Sequence, residues 1–260
     1  MKHQKCFFSL LLVGVLFVAS SLLAQESSFL AQENQIVIKK EGNISKRFSP
    51  CSTFKIAISV MGFDSGILKD PTHPLVHYEK IYEDDCDGMM AIWKQSYNPK
   101  RWIEYSCVWY SQWITKQLGM KKFKNYLSGF QYGNENARGD DGKNKGLTHC
   151  WLGSSLKIST QEQVAFLQKL VYEKLPVSRR SQEMTQKILY AGNLSHGWSL
   201  YGKTGSCDQG GWFVGWIEKG KRKIVFAHHI VDKQKMKTYA GPRARDAAKE
   251  KLQLMILSLP

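Results

Sequence analysis

Ser52 and Lys55 stand three residues apart at the head of the apolar run Phe54-Lys55-Ile56-Ala57-Ile58-Ser59-Val60-Met61. On a helix that spacing puts a hydroxyl and an amine on one face, about a turn apart. A serine hydroxyl becomes a competent nucleophile once a base takes its proton. A lysine, cationic at neutral pH with an ordinary pKa near about 10.4, can be that base where apolar surroundings disfavour its charge. The helix start adds unpaired N–H groups and the positive end of a dipole, both suited to developing negative charge. The pattern offers acyl transfer through a serine ester. The tetrapeptide also describes a helix cap followed by a solvated lysine, and Ser154-Ser155-Leu156-Lys157 repeats it.

Other groups extend the chemistry. Lys203-Thr204-Gly205 offers an ammonium, a hydroxyl and close backbone approach to a substrate carboxylate, or else a surface lysine and a turn. Ser106, two residues before Val108, supplies a second hydroxyl at a helix start, as proton relay or as N-cap. Tyr132-Gly133-Asn134 marks a turn. Gly197 to Thr204 matches the phosphate-binding P-loop in letters, but its interior is strand-like and no helix follows, so that reading is rejected. Glu83 to Gly88 resembles a calcium loop without the closing glutamate, where Lys94 stands, and is read as a plain loop. His228 and His229 would face opposite sides of a strand, and Pro74 separates His73 from His77, so no metal is expected.

The elements that position these groups follow from periodicity. Ser28 to Lys40 reads as one or two strands ended by Glu41-Gly42-Asn43. The Ser52 helix runs to about Gly66, and its apolarity on nearly all sides marks it as buried. Tyr105 to Leu118 reads as one helix closed by Gly119, and Met120 to Leu127 as another before Gly129. Gln131 to Cys150 is a polar loop. Ser159 and Glu162 form a capping box, and Ser178 to Tyr190 is a further helix. Gly197–Gly205, Gly211–Glu218 and Lys223–Val231 are strands of an antiparallel meander, and Pro242 opens a last helix. Strands at both ends with helices between imply an α+β fold. One antiparallel sheet would draw on both termini (about 25–60 and 190–260), with a helical region inserted (about 61–189) in a single catalytic domain.

Met1 to Ala24, charged and then apolar, reads as a secretory signal peptide, and no later segment is apolar enough to span a membrane. The mature chain, 25–260, is therefore expected in the periplasm without stable membrane association. Cys51, Cys86, Cys107, Cys150 and Cys207 remain after the leader, an odd number in an oxidising compartment. One disulfide is allowed but not assigned, and the cysteines near the motifs are read as buried small hydrophobes. The net charge of +15 favours anionic partners. The basic residues are spread along the chain without an aromatic platform, so a small anionic substrate is preferred to nucleic acid.

The ordered set Ser52-Thr53-Phe54-Lys55, Ser106-Cys107-Val108, Tyr132-Gly133-Asn134, Trp151-Leu152 and Lys203-Thr204-Gly205 resembles the class D, oxacillinase-type serine β-lactamases, from about Ser28 to the C-terminus. The resemblance implies a transpeptidase-like fold and a small-molecule β-lactam substrate. It implies Ser52 as acylated nucleophile and Lys55, N-carboxylated by carbon dioxide or bicarbonate, as general base. Trp151 would hydrogen-bond that carbamate, with Val108 over it, and Ser106 would relay a proton. Lys203, Thr204 and Arg245 would face the substrate carboxylate, with Arg243 as rival to Arg245. The N–H groups of Ser52 and Ser206 would form the oxyanion hole beside Gly205. Rival readings are a β-lactam sensor and a penicillin-binding transpeptidase, both of which acylate without turnover. The short turn Cys207-Asp208-Gln209-Gly210 departs from the family and leaves substrate preference open.

Overall fold

The structure is a computed structural model that describes residues 27–83, 90–140, 142, 145–207, 210–234 and 236–259. The leader, most of the acidic Glu83–Gly88 segment, and Asp208 and Gln209 lie outside the described residues.

In chain order the elements are β1 (Ser27–Glu33), β2 (Ile36–Glu41) and β3 (Arg47–Phe48), then a 3-10 turn (Cys51–Phe54) running into α1 (Lys55–Asp64). There follow α2 (Pro99–Tyr105), α3 (Val108–Leu118), α4 (Met120–Phe130), α5 (Gly146–His149), β4 (Ile158–Ser159), α6 (Thr160–Val171) and α7 (Arg179–Ile188). The chain closes with β5 (Tyr190–Asn193), β6 (Ser199–Cys207), β7 (Gly210–Lys219), β8 (Arg222–Val231) and α8 (Ala240–Leu257). Six of these strands form one antiparallel sheet in the order β2-β1-β8-β7-β6-β5, so both ends of the chain meet in it as expected.

Strand β8 is apolar on both faces because both faces are covered. Ile224, Phe226 and Ile230 pack with Ala244, Ala248 and Leu252 of α8. Val225 and Ala227 join the larger core around α1, with Trp212 and Trp216 of β7. Helix α1 lies inside that core, and every residue from Lys55 to Gly62 is buried. Helix α6 packs on the same side, against β8, β1 and β7, and starts at the expected capping box. The Glu162 carboxylate of that box also pairs with Arg47, tying β3 to α6.

Several expectations are corrected. The helix read over Tyr105–Leu118 is two helices. Ser106 closes α2 in the left-handed region, at φ 57, rather than capping the start of the next helix, and Val108 begins α3. Helix α4 runs through Gly129 to Phe130, because its apolar face, Phe123, Leu127 and Phe130, continues one turn further. The helix read to Tyr190 ends at Ile188, and Tyr190 opens β5, a short edge strand whose pairing is broken between Tyr190 and Gly192.

Candidate active site

Pro50 and the 3-10 turn after it set Ser52 at the start of the buried helix. Cys51, just before it, takes φ 47, a conformation that costs a residue with a Cβ and is met at functional sites. The turn is held from several sides. The Cys51 N–H and the Ser49 hydroxyl both donate to the Trp151 carbonyl, at 3.0 and 2.8 Å. The Trp212 indole donates to the Ser49 carbonyl at 2.9 Å. Gln163 of α6 donates to the Thr53 hydroxyl at 3.0 Å, and that hydroxyl donates to the Pro50 carbonyl at 2.7 Å.

Within this frame the Lys55 Nζ donates to the Ser52 Oγ at 3.1 Å, with Lys55 fully buried and Ser52 half-buried. Lys203 of β6 is also buried, and its Nζ donates to the Thr204 carbonyl at 3.0 Å. Burial holds the Lys203 ammonium well below the ordinary lysine range, and the nearby Lys55 charge pushes it the same way. The lysine head groups of the S-x-x-K and K-T-G motifs therefore feel each other across the site.

Gly205 is the residue by which β6 reaches the nucleophile turn. A Cβ there would stand 2.9 Å from the Pro50 carbonyl oxygen and 3.1 Å from the Thr53 nitrogen, so a side chain would wedge strand and turn apart. β5 pairs with β6 only as far as Tyr201, and the Gly202 N–H on that edge donates to the Leu189 carbonyl at 2.9 Å. The two-residue period of a strand turns the Thr204 and Ser206 N–H groups to the same edge. The exposed Ser206 side chain accepts from the Gly241 N–H at 2.9 Å, fixing the end of β6 to the start of α8.

Trp151 is buried against Phe54, ring centres 5.4 Å apart, and its indole N–H has no acceptor among the described residues. A buried donor without a partner costs about 1–3 kcal/mol unless a ligand or water completes it, so this one is suited to an anion on the neighbouring lysine. Val108 is half-buried at the first turn of α3 and packs on the same core. Ser106 keeps a strained backbone at the junction of α2 and α3. α2 sends Ile103 and Glu104 to a cavity of about 610 Å³ that is also lined by Lys203, Thr204 and Arg245. Lys100, Lys187 and Lys249 line it as well, three cations that no motif had singled out.

The rival residues lie in different surroundings. Arg243 pairs with Asp232 and Arg245 with the adjacent Asp246, at 3.0 Å, and of the two Arg245 lines the cavity. Ser154 and Lys157 belong to a loop, where the Asn134 amide oxygen accepts from the Lys157 N–H at 2.9 Å. Tyr132-Gly133-Asn134 braces that loop from behind, with the Tyr132 ring 5.1 Å from that of Phe54. His228 and His229 do face opposite ways, onto Phe29 and onto Phe48 with Trp212. The reading of Cys51 and Cys207 as small hydrophobes is corrected: they form the one disulfide that the sequence allowed without assigning, their Cα atoms 6.1 Å apart, whereas Cys107 is buried as expected and so is Cys150. The signal was present, since Cys51 adjoins the S-x-x-K serine and Cys207 follows the K-T-G motif, but the fold distance was not.

A serine paired with a buried lysine at a helix start, facing a lysine strand across a sheet edge, defines a serine acyl-transfer protein. The penicillin-binding protein transpeptidase domain is the family whose model matches, over residues 20–253. Beta-lactamase OXA-9 of Klebsiella pneumoniae is 40% identical over 217 residues, 79% of this chain and 78% of that protein. Beta-lactamase OXA-1 of Escherichia coli is 43% identical over 188 residues, 69% of this chain and 65% of that one. The solved structure of OXA-427 class D beta-lactamase is 39% identical, with a TM-score of 0.80 over 88% of this chain and 99% of that chain. The chain belongs to the class D β-lactamases, within the penicillin-binding transpeptidase family.

Proposed function

We propose that the protein hydrolyses β-lactam antibiotics through an ester on Ser52, and so protects its host from them. The observation that carries the reading is the 3.1 Å contact between the Ser52 hydroxyl and a fully buried Lys55. The Ser52 proton leaves toward the Lys55 head group as Oγ attacks the lactam carbonyl carbon. The oxyanion that forms is received by the N–H groups of Ser52 and Ser206. As the ring C–N bond breaks, the proton taken up at the Lys55 head group passes through the Ser106 hydroxyl to the departing nitrogen. Lys203, Thr204 and Arg245 hold the substrate carboxylate throughout. Water, giving a proton to the Lys55 head group, then attacks the ester carbonyl, and that proton goes to the Ser52 Oγ as its bond to carbon breaks.

Lys55 is read as carrying a carboxyl group taken from carbon dioxide. The unpartnered Trp151 indole N–H supports that fit, and Val108 would screen the group from solvent. When bound, the carbamate supplies an anionic base beside Ser52. The leader, residues 1–24, is read as delivering the mature chain 25–260 to the periplasm. Among the described residues no helix is long and apolar enough to cross a membrane.

The test is turnover of a chromogenic cephalosporin by the purified protein, with mass spectrometry of the trapped ester. Many turnovers per molecule and an adduct on the Ser52 peptide are expected, and neither for Ser52→Ala. A single stable equivalent would instead make the protein a sensor or a transpeptidase.

A further inference from the structure

We infer that the Cys51–Cys207 disulfide sets the spacing of the two oxyanion-hole N–H groups, and is thereby a positioning element for the reaction; this rests on the hydrolase reading above. Cys51 directly precedes Ser52, and Cys207 directly follows Ser206. The bond thus joins the two backbone segments that present the hole, although 156 residues of sequence separate them. An oxyanion hole works only when both donors lie about 2.7–3.1 Å from the same oxygen, so the separation of its two walls matters at the level of tenths of an ångström.

The surroundings show why a covalent tie is useful here. One wall is a 3-10 turn and the other the end of a strand. β5 no longer pairs with that strand beyond Tyr201, so the segment carrying Thr204 and Ser206 meets the turn along an open edge. Gly205 brings the two backbones together with no side chain between them. Other contacts hold each wall to its own neighbours: Cys51 to the Trp151 carbonyl, Ser206 to Gly241 of α8. Trp212 of β7 also reaches the Ser49 carbonyl, and the packing of Gly205 on Pro50 and Thr53 brings the walls into contact, while the disulfide is the covalent tie directly beside the hole. The left-handed backbone at Cys51 fits the same account. A glycine would adopt φ 47 more cheaply, and a cysteine stands there with its side chain tied to β6.

Neither sulfur is assigned a contact with substrate. Opening the bond loosens the hole without removing a donor, so it weakens transition-state binding and spares the carboxylate site. Removing a whole donor from such a hole costs roughly a hundred- to a thousandfold in kcat, and loosening one should cost about tenfold. KM should stay within about twofold, since ground-state binding rests on Lys203, Thr204 and Arg245.

The experiment compares four forms of the full mature protein: oxidised wild type, wild type opened by a water-soluble phosphine, and the Cys51→Ala and Cys207→Ala variants, with the double variant as a fifth. The phosphine is oxidised to its oxide with oxygen from water, whose two protons go with the two electrons to the two sulfurs, and intact-mass measurement after thiol alkylation reports the open bond. Steady-state kcat and KM, affinity for a boronic acid that forms a tetrahedral adduct on Ser52, and circular dichroism are read well below the melting temperature. The expected result is one common loss, about tenfold in kcat and in boronate affinity, for every form lacking the bond, with no further loss in the double variant and recovery only when reduced wild type is re-oxidised. Unchanged kcat with the bond shown open overturns the inference, as does mass evidence that Cys51 and Cys207 are not joined in the oxidised protein. A loss that follows unfolded fraction, or that falls on KM, also overturns it. Absence of turnover by oxidised wild type would instead sink the hydrolase reading, so the two failures are distinct.

Discussion

At the scale of single residues the site turns on which side chain meets which partner. In Gly241-Pro242-Arg243-Ala244-Arg245 the resemblance favoured Arg245 but left Arg243 as its rival, because the first turn of the helix could not be fixed from Pro242 alone. Helix α8 begins at Ala240, two residues earlier, and this register gives Arg243 to Asp232 and Arg245 to the cavity. Arg245→Gln should raise KM about ten- to a hundredfold and leave kcat nearly unchanged, the worth of a charge-assisted hydrogen bond in uniform binding. Arg243→Gln should leave KM alone and lower stability by about 1–3 kcal/mol, because the nearly buried Asp232 carboxylate loses its guanidinium partner. Steady-state kinetics and urea unfolding on the two variants separate these outcomes. Lys55 and Trp151 make a second residue-scale pair. Labelled bicarbonate should give one carbamate carbon signal, absent in Lys55→Ala and weakened in Trp151→Ala, and activity lost on acid decarboxylation should return with bicarbonate. A decarboxylated enzyme at full rate, with no such signal, would leave Lys55 as a free-amine base.

Elements were legible where periodicity was strong and obscure where chain geometry broke it. The run Lys223–Val231 was legible as a strand of the meander, found as β8, and the α6 capping box was visible as Ser159 and Glu162. The break at Ser106 was hidden, since Tyr105 to Leu118 keeps an apolar helical rhythm straight through it and only the backbone shows the left-handed turn. β5 was hidden because Tyr190 to Asn193 is short and mostly exposed, with no alternation to read. Strand β8 also carries a pH response. Burial lowers His228 to about 4 and His229 to about 3, with His228 also donating through Nδ1 to the Ser28 carbonyl. Unfolded, each would titrate near about 6.5. Between those values the unfolded chain binds protons that the folded chain does not, so stability is fully present above about pH 6.5 and falls as pH drops below it. Each histidine should withdraw on the order of 2 kcal/mol by pH 5. That window lies above the range where Glu33, Glu41 and Glu162, all held low by their Lys or Arg partners, take up protons. Urea midpoints from pH 7 to pH 5 should drop for wild type and drop less for His229→Phe, which keeps the stacking on Phe48 and Trp212. An equal drop in both would remove His229 from the account.

Over the whole molecule the ends of the chain close one sheet, and the nucleophile helix is buried against it, so the site lies on the seam between β6 and the inserted helices. The order of motifs along the chain carried that arrangement, because each motif sits on a different element that the sheet brings to the seam. The sequence could not show where the net charge of +15 is felt, since its lysines and arginines are spread from end to end. Folding gathers Lys100 from α2, Lys187 from α7, Lys203 from β6, and Arg245 and Lys249 from α8 around one cavity, against Glu104 in the lining and Asp246 beside Arg245. A low-dielectric cleft lined by one sign of charge concentrates counter-charged ligand and speeds its capture. Lys100 and Lys187 are exposed, so their share of that field is screened by salt over about 8–10 Å at physiological strength. A β-lactam carrying its ring carboxylate should therefore lose roughly three- to tenfold in kcat/KM between low salt and about 0.5 M, chiefly through KM. Its neutral methyl ester should react slowly and show almost no salt dependence, because it feels no net pull toward the cavity. Lys187→Gln should flatten the salt dependence for the carboxylate substrate while leaving kcat intact, since its exposed ammonium acts through the field and touches none of the reacting atoms. Equal salt slopes for acid and ester would mean that ions act on the protein itself, and the steering account would fail.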